Sequence, residues 1–335
     1  MQTQELTTNQ QTVYDDIVNY FKLSKNDNDS KSKDKDKDKD GDKDTSKKKS
    51  SSKENEYLLI GYAGTGKTTL VTKLILDLIK SNKCKNIAIA APTHKAVNIA
   101  KSKLFNNIDE HETMSKNIKI MTIHRLLNYK SVINGEGEKL FEKSKIDPAW
   151  YIYDLIVIDE CSMLSDQIID DIDSILKDKK NRNVKVMYVG DPAQLPPVNQ
   201  KRSVIFDKNI KQNILDQIIR TKNSMIMELC NDHRNWIIDQ KDENVPNIIK
   251  YIHNKIKGFR KCDREIWLNH YISNFQKSNN NYNNSIILTW TNGKCKEYND
   301  YIRRTLFKKN DLDHFEKGEI LIFNDFHRIE DDEIP

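Results

Sequence analysis

The 335 residues contain no C-x-x-C pair, and the five cysteines, Cys84, Cys161, Cys230, Cys262 and Cys295, are scattered. They form neither a zinc framework nor a disulfide ladder, and they suit a reducing, intracellular setting. No run approaches the roughly 20 apolar residues a membrane span needs, and no signal-like apolar segment opens the chain, so a soluble protein with no membrane partner is expected. There is no repeat of fixed period. Residues 24–54 have no large apolar side chain at all. Such a segment cannot offset the entropy of ordering and is expected to be a disordered, solvated spacer. Its lysines and aspartates nearly cancel, which makes it a poor dedicated nucleic-acid arm. It also accounts for part of the low hydrophobic content, 37%. A net charge of +5 and a pI near 8.7 are compatible with a polyanionic partner without demonstrating one.

Glycine is concentrated where chemistry needs it. Residues 61–69 read Gly-Tyr-Ala-Gly-Thr-Gly-Lys-Thr-Thr, after the apolar run Tyr57-Leu58-Leu59-Ile60 and before the helix-like Leu70–Leu76. Strand, glycine loop, helix is the context of a phosphate cradle. Gly61, Gly64 and Gly66 let the backbone curl until its N–H groups and the helix N-terminus face a β-phosphate. Lys67 reaches the β/γ oxygens, Thr68 can ligate Mg²⁺, and Ala63, Thr65 and Thr69 complete the loop. ATP with Mg²⁺ is the expected cofactor.

Apolar runs recur at Leu58–Ile60, Ile87–Ala91, Leu155–Ile158, Val184–Val189 and Ile286–Trp290, alternating with helical stretches. That rhythm predicts an α/β fold with a mostly parallel sheet and its ligand at the C-terminal strand ends. A first domain over 1–215 and a second α/β segment over 216–335 are expected. Residues 128–150 interrupt the rhythm: the stretch 132–141 reads as two short strands around a glycine turn, a small hairpin insertion. After the third run stand Asp159 and Glu160. Asp159 suits the metal, directly or through water, and Glu160 suits orienting and deprotonating an attacking water. After the fourth run, on a loop with three prolines, Gln194 is placed either to bond the γ-phosphate or the water, or simply to belong to a Gly-Asp-Pro turn.

Taken in order, Gly61–Thr69, Ala91–Ala96, Thr122–Leu127, Asp159–Met163 and Gly190–Val198 resemble the motifs of the RecD-like branch of superfamily 1 DNA helicases, with a small phage helicase as the nearest match. The resemblance implies a RecA-like P-loop NTPase domain followed by a second RecA-like domain. It implies that Gln10, in Leu6-Thr7-Thr8-Asn9-Gln10, reads the adenine edge, and that Arg220 reaches across the cleft to the γ-phosphate. It places Pro92, Thr93 and His94 on single-stranded DNA, with Thr122 and His124 as a second contact. His124 is alternatively a structural histidine between Ile123 and Leu126. Phe141 matches a hairpin aromatic that wedges against the duplex, and a hydrophobic anchor for the hairpin is the equal alternative.

The resemblance also marks what is missing. Family segments ending in Gln-Gly, and a later Tyr/Thr-Arg segment with a second arginine, find no match before Pro335. An incomplete second RecA-like domain, and with it a truncated motor, is the expectation. The sequence therefore reads as an ATP-dependent DNA helicase or translocase, 5′ to 3′ on single-stranded DNA. Its partners would be single strands, duplex junctions and single-stranded-DNA-binding or replication proteins. The alternatives are a nucleotide-dependent DNA-binding module without translocation and a P-loop ATPase that is no helicase.

Overall fold

The computed structural model describes residues 6–21, 55–105, 118–133, 139–219, 224–239, 246, 262–277 and 285–319. The polar spacer 24–54, but for its neighbour Asn55, lies outside these, as do Arg220 and the segment from Ile320 onward. The chain divides into two compact units, Met1–Ile248 and Ile249–Pro335.

The first unit is built on one six-stranded sheet. Its strands are β1 (Glu56–Gly61), β2 (Ile87–Ala91), β3 (Ile118–Thr122), β6 (Leu155–Ile158), β7 (Lys185–Gly190) and β8 (Lys211–Leu215), in the order β3-β2-β6-β7-β1-β8. Every pairing is parallel. The four inner strands are buried on both faces, which explains their unbroken apolar runs. Period two sorts their side chains into two cores. Tyr57, Leu59, Ile87, Ile89, Val157 and Met187 meet helices α1 (Thr8–Tyr20) and α2 (Lys67–Lys80). Leu58, Ile60, Ala88, Ala90, Ile156 and Tyr188 meet Trp150 and helix α5 (Asp166–Lys177).

Helix α3 (His94–Phe105) follows β2, and the single turn α4 (Ile123–Leu126) follows β3. The expected hairpin is present as the antiparallel pair β4 (Tyr129–Ile133) and β5 (Lys139–Lys143). It is tied to α5: Asp171 accepts from Lys143 Nζ at 2.8 Å and from the Tyr129 hydroxyl. Helix α6 (Ser224–Asp239) belongs to the first unit.

The second unit contributes helices α7 (Arg264–Lys277) and α8 (Asn292–Phe307). Leu268 and Ile272 are buried, and Trp267 packs edge-on against Tyr298 at 5.3 Å. Here one expectation is corrected. Ile286–Trp290 is not a strand: it joins no sheet among the described residues, and Leu288 and Trp290 are 85% and 90% exposed. An apolar run becomes a strand only where a ladder partner and a covering layer exist, and the described residues supply neither. Thr291 caps α8 instead, accepting from Lys294 N at 3.2 Å.

Candidate active site and nucleic-acid face

The phosphate loop, Pro92–His94, Thr122, Asp159–Glu160 and Gln194 gather at the C-terminal edge of the first unit's sheet, where loops leave β1, β2, β3, β6 and β7. The phosphate loop follows β1. Gly64 and Gly66 hold φ of +84° and +82°, the left-handed region that favours glycine. Gly61 is needed for space, since a Cβ there would stand 2.5 Å from Lys67 Cγ. Lys67 folds back across the loop, its ammonium donating to the carbonyls of Gly61 at 2.6 Å and Tyr62 at 3.2 Å. Burial lowers its pKa, opposed by the nearby carboxylates of Asp191, Glu160 and Asp159.

Thr68 and Thr69 lie half-buried in the first turn of α2, and Ala63 is exposed at the loop's crest. Thr65 is fully buried and spends both donors inside the loop, its N–H and hydroxyl reaching the Tyr62 carbonyl at 3.2 and 2.9 Å. Gln10 is also buried. It completes a capping box with Thr7, and its Nε2 donates to the Thr65 carbonyl at 2.9 Å, so the start of α1 braces the loop from behind. Arg220 lies outside the described residues. Ile219, just before it, donates its N–H to the Gly64 carbonyl at 2.9 Å, which brings that segment onto the same loop.

Asp159 and Glu160 leave the end of β6. Asp159 accepts from Glu160 N at 2.9 Å, and burial raises its pKa. Glu160 adopts φ +54°, a left-handed position uncommon for a residue with a side chain. Burial, and then the Asp159 charge, push its carboxyl up. Gly190 leaves room for this turn, because a Cβ there would stand 2.5 Å from Cys161 Sγ. Gln194 is half-buried beyond Asp191, which accepts from Ala193 N and, through its carbonyl, from Gln194 N, both at 3.0 Å. Thr68 and Asp159 are the hard-oxygen donors that Mg²⁺ takes in ones or twos beside substrate phosphates, so the residues present fit that ion.

Residues 45–200 match the family profile described as an AAA domain. Over 227 residues the chain is 33% identical to the RecBCD enzyme subunit RecD of Buchnera aphidicola subsp. Schizaphis graminum, covering 63% of this chain and 33% of that one. Over 283 residues it is 26% identical to the ATP-dependent DNA helicase Dda of Enterobacteria phage T4, covering 82% and 57%. This chain is a homologue of superfamily 1 helicases. An uncharacterised protein of Acanthamoeba polyphaga mimivirus is 33% identical over 286 residues, covering 81% of this chain and 56% of its own length. The expected nearness to the phage helicase amounts to only 26% identity, below the 33% of the RecD subunit over its shorter match. The chain spans about half the length of two of these relatives and a third of the RecD subunit.

Of the residues that the helicase resemblance assigns to DNA, Pro92, Thr93, His94, Thr122 and His124 stand at the ends of β2 and β3, and Phe141 lies on β5. Thr93 and His94 are exposed and Pro92 is half-buried. Both threonine hydroxyls cap helices, Thr93 accepting from Ala96 N at 3.2 Å and Thr122 from Arg125 N at 3.3 Å. Each hydroxyl keeps its proton to donate. His124 stacks on Phe141 with ring centroids 4.1 Å apart and planes 18° from parallel, and burial lowers its pKa. Phe141 therefore anchors the hairpin and still leaves 46% of itself exposed.

Sequence reasoning overlooked two members of this edge. Tyr62 lies inside the phosphate loop, and Arg234 of α6 covers its ring, the guanidinium carbon 3.5 Å from the centroid, while pairing with Asp191. Nothing in a helical Asp-His-Arg-Asn announces a partner 43 residues earlier.

Proposed function

We propose that this chain is the ATP-hydrolysing motor portion of a DNA helicase that moves 5′ to 3′ along single-stranded DNA. The reading rests on one observation: Lys67, held in the loop after β1, and the Asp159–Glu160 pair, at the end of β6, meet at one edge of the same sheet. That is the polarity Mg-ATP hydrolysis needs, a cation for the phosphates beside carboxylates for metal and water.

Lys67 and the N–H groups of Gly64, Gly66, Lys67, Thr68 and Thr69 hold the β- and γ-phosphates. Bound Mg²⁺, held by Thr68 and Asp159, would neutralise charge on the phosphate oxygens. Glu160 takes a proton from the water that attacks the γ-phosphorus, ADP leaves with the bridging oxygen, and Gln194 orients the water or senses the γ-phosphate. Arg220 supplies a further cation there, and Gln10 turns its second amide hydrogen to the base. Pro92, Thr93 and His94, with Thr122 and His124, grip the DNA backbone, and Phe141 meets the duplex junction. Replication and repair assemblies are the expected setting.

Glu160→Gln tests the reading. The variant should bind a fluorescent ATP analogue as the parent does while steady-state phosphate release falls by about 10²-fold or more. Parental turnover in Glu160→Gln would remove Glu160 from the chemistry.

A further inference from the structure

Arg234 is 8% exposed, and its Nε has no hydrogen-bond partner among the described residues. A buried guanidinium with an unused donor is costly, and replacing a buried ion pair by apolar side chains is often neutral or stabilising. Fold stability alone is a weak reason for it. The setting sharpens the point: beside Arg234 lies a cavity of about 520 Å³ lined largely by apolar groups such as Ile218, Met227 and Ile237.

Arg234's two contacts both belong to the nucleotide site. Its Nη1 donates to Asp191 Oδ1, the oxygen that also accepts from Ala193 N and so closes the turn bearing Gln194. Its guanidinium plane covers Tyr62, whose carbonyl accepts from Thr65 Oγ1 and from Lys67 Nζ. One side chain on α6 therefore joins the turn that orients Gln194 to the turn that seats Lys67. A lysine could pair with Asp191 and approach the ring, but its point charge has no plane to lie flat on Tyr62, so it would join the two turns less rigidly.

We propose that Arg234 is a positioning residue for ATP hydrolysis, fixing the Gln194 turn against the phosphate loop without touching the nucleotide; this rests on the helicase reading given above. The test compares four full-length chains: parent, Arg234→Met, Arg234→Lys, and Arg234→Met combined with Asp191→Asn. In Arg234→Met, kcat should fall about 10- to 100-fold while KM for ATP stays within about threefold, because a small misplacement acts on the transition state more than on binding. Arg234→Lys should be intermediate. The double variant leaves no unpaired buried charge, so its thermal midpoint should return towards the parent while kcat stays low. Amide hydrogen exchange across residues 61–66 and 191–198, measured without nucleotide, should rise in Arg234→Met and stay raised in the double variant.

If kcat recovered together with the midpoint, the pair would be structural only and the proposal overturned. A KM that rises in step with the loss of kcat would place Arg234 on the nucleotide and overturn it as well. A parent chain that hydrolyses no ATP sinks the helicase reading, and the exchange measurement still decides whether Arg234 pins the two turns, unchanged exchange being the refuting result.

Discussion

Gly66→Ala probes how tightly α1 is pressed against the phosphate loop. At φ +82° an alanine is strained by about 1–2 kcal/mol. Its Cβ would also stand 2.4 Å from Gln10 Nε2, which is held in place by its bond to the Thr65 carbonyl. Gln10 must swing away, leaving a buried carbonyl without its donor at a cost of about 1–3 kcal/mol. The single substitution should therefore destabilise the first unit by about 2–5 kcal/mol. In a Gln10→Ala background the obstacle is gone and only the backbone part remains, so the two changes should be coupled by about 1–3 kcal/mol. Urea unfolding of the parent, both single variants and the double, followed by circular dichroism, measures this cycle. Additivity within about 0.5 kcal/mol would refute the account. Competition between ATP and GTP on Gln10→Ala then asks whether the same side chain also reads the base.

Three further outcomes are expected. Lys67→Ala should lose most affinity for a fluorescent ATP analogue, because Lys67 is the loop's own cation; equal affinity would remove the phosphate-cradle assignment. Burial pushes the Asp171 carboxyl up, but bonds from Lys143, Tyr129 and Gln167 outweigh it and hold the pKa below the ordinary carboxylate range. Hairpin anchorage is therefore complete above the unfolded value of about 3.9 and is lost as pH falls through the lower folded value. Asp171→Asn should loosen the hairpin at neutral pH, seen as faster exchange of β4 and β5 amides. Phe141→Ala should lower the melting temperature by only a few degrees, since the ring is half-exposed and its stacking adds about 0.5–1.5 kcal/mol to the area it buries, yet it should slow strand separation in a forked-duplex assay; unchanged unwinding would confine Phe141 to anchoring.

The inner strands and the phosphate loop were legible for physical reasons. Strands covered on both faces must be continuously apolar, and a loop that turns its amides inward must spend glycines at fixed places. Asp159 and Glu160 were legible because two acids directly after a buried strand have little structural use. Edge strands carry no such mark: β8 begins Lys-Gln-Asn with one side open to water, and β3 is only partly covered, so neither stands out as an apolar run. Ile286–Trp290 misled in the opposite direction, having the composition of a strand without a ladder. Arg234 and Tyr62 were invisible because their importance lies in a contact between distant segments, which residue type does not encode.

The folded-back Lys67 bears on how the phosphate loop manages its own charge. Its ammonium is bonded to two carbonyls of its own turn and so is not bare among the acids at the neighbouring strand ends. A phosphate placed at the loop would have to compete with those two bonds, so part of what an anion gains from Lys67 is offset by what the turn gives up. The loop thereby keeps its lysine in place by internal bonds and yields some grip on an anion in exchange.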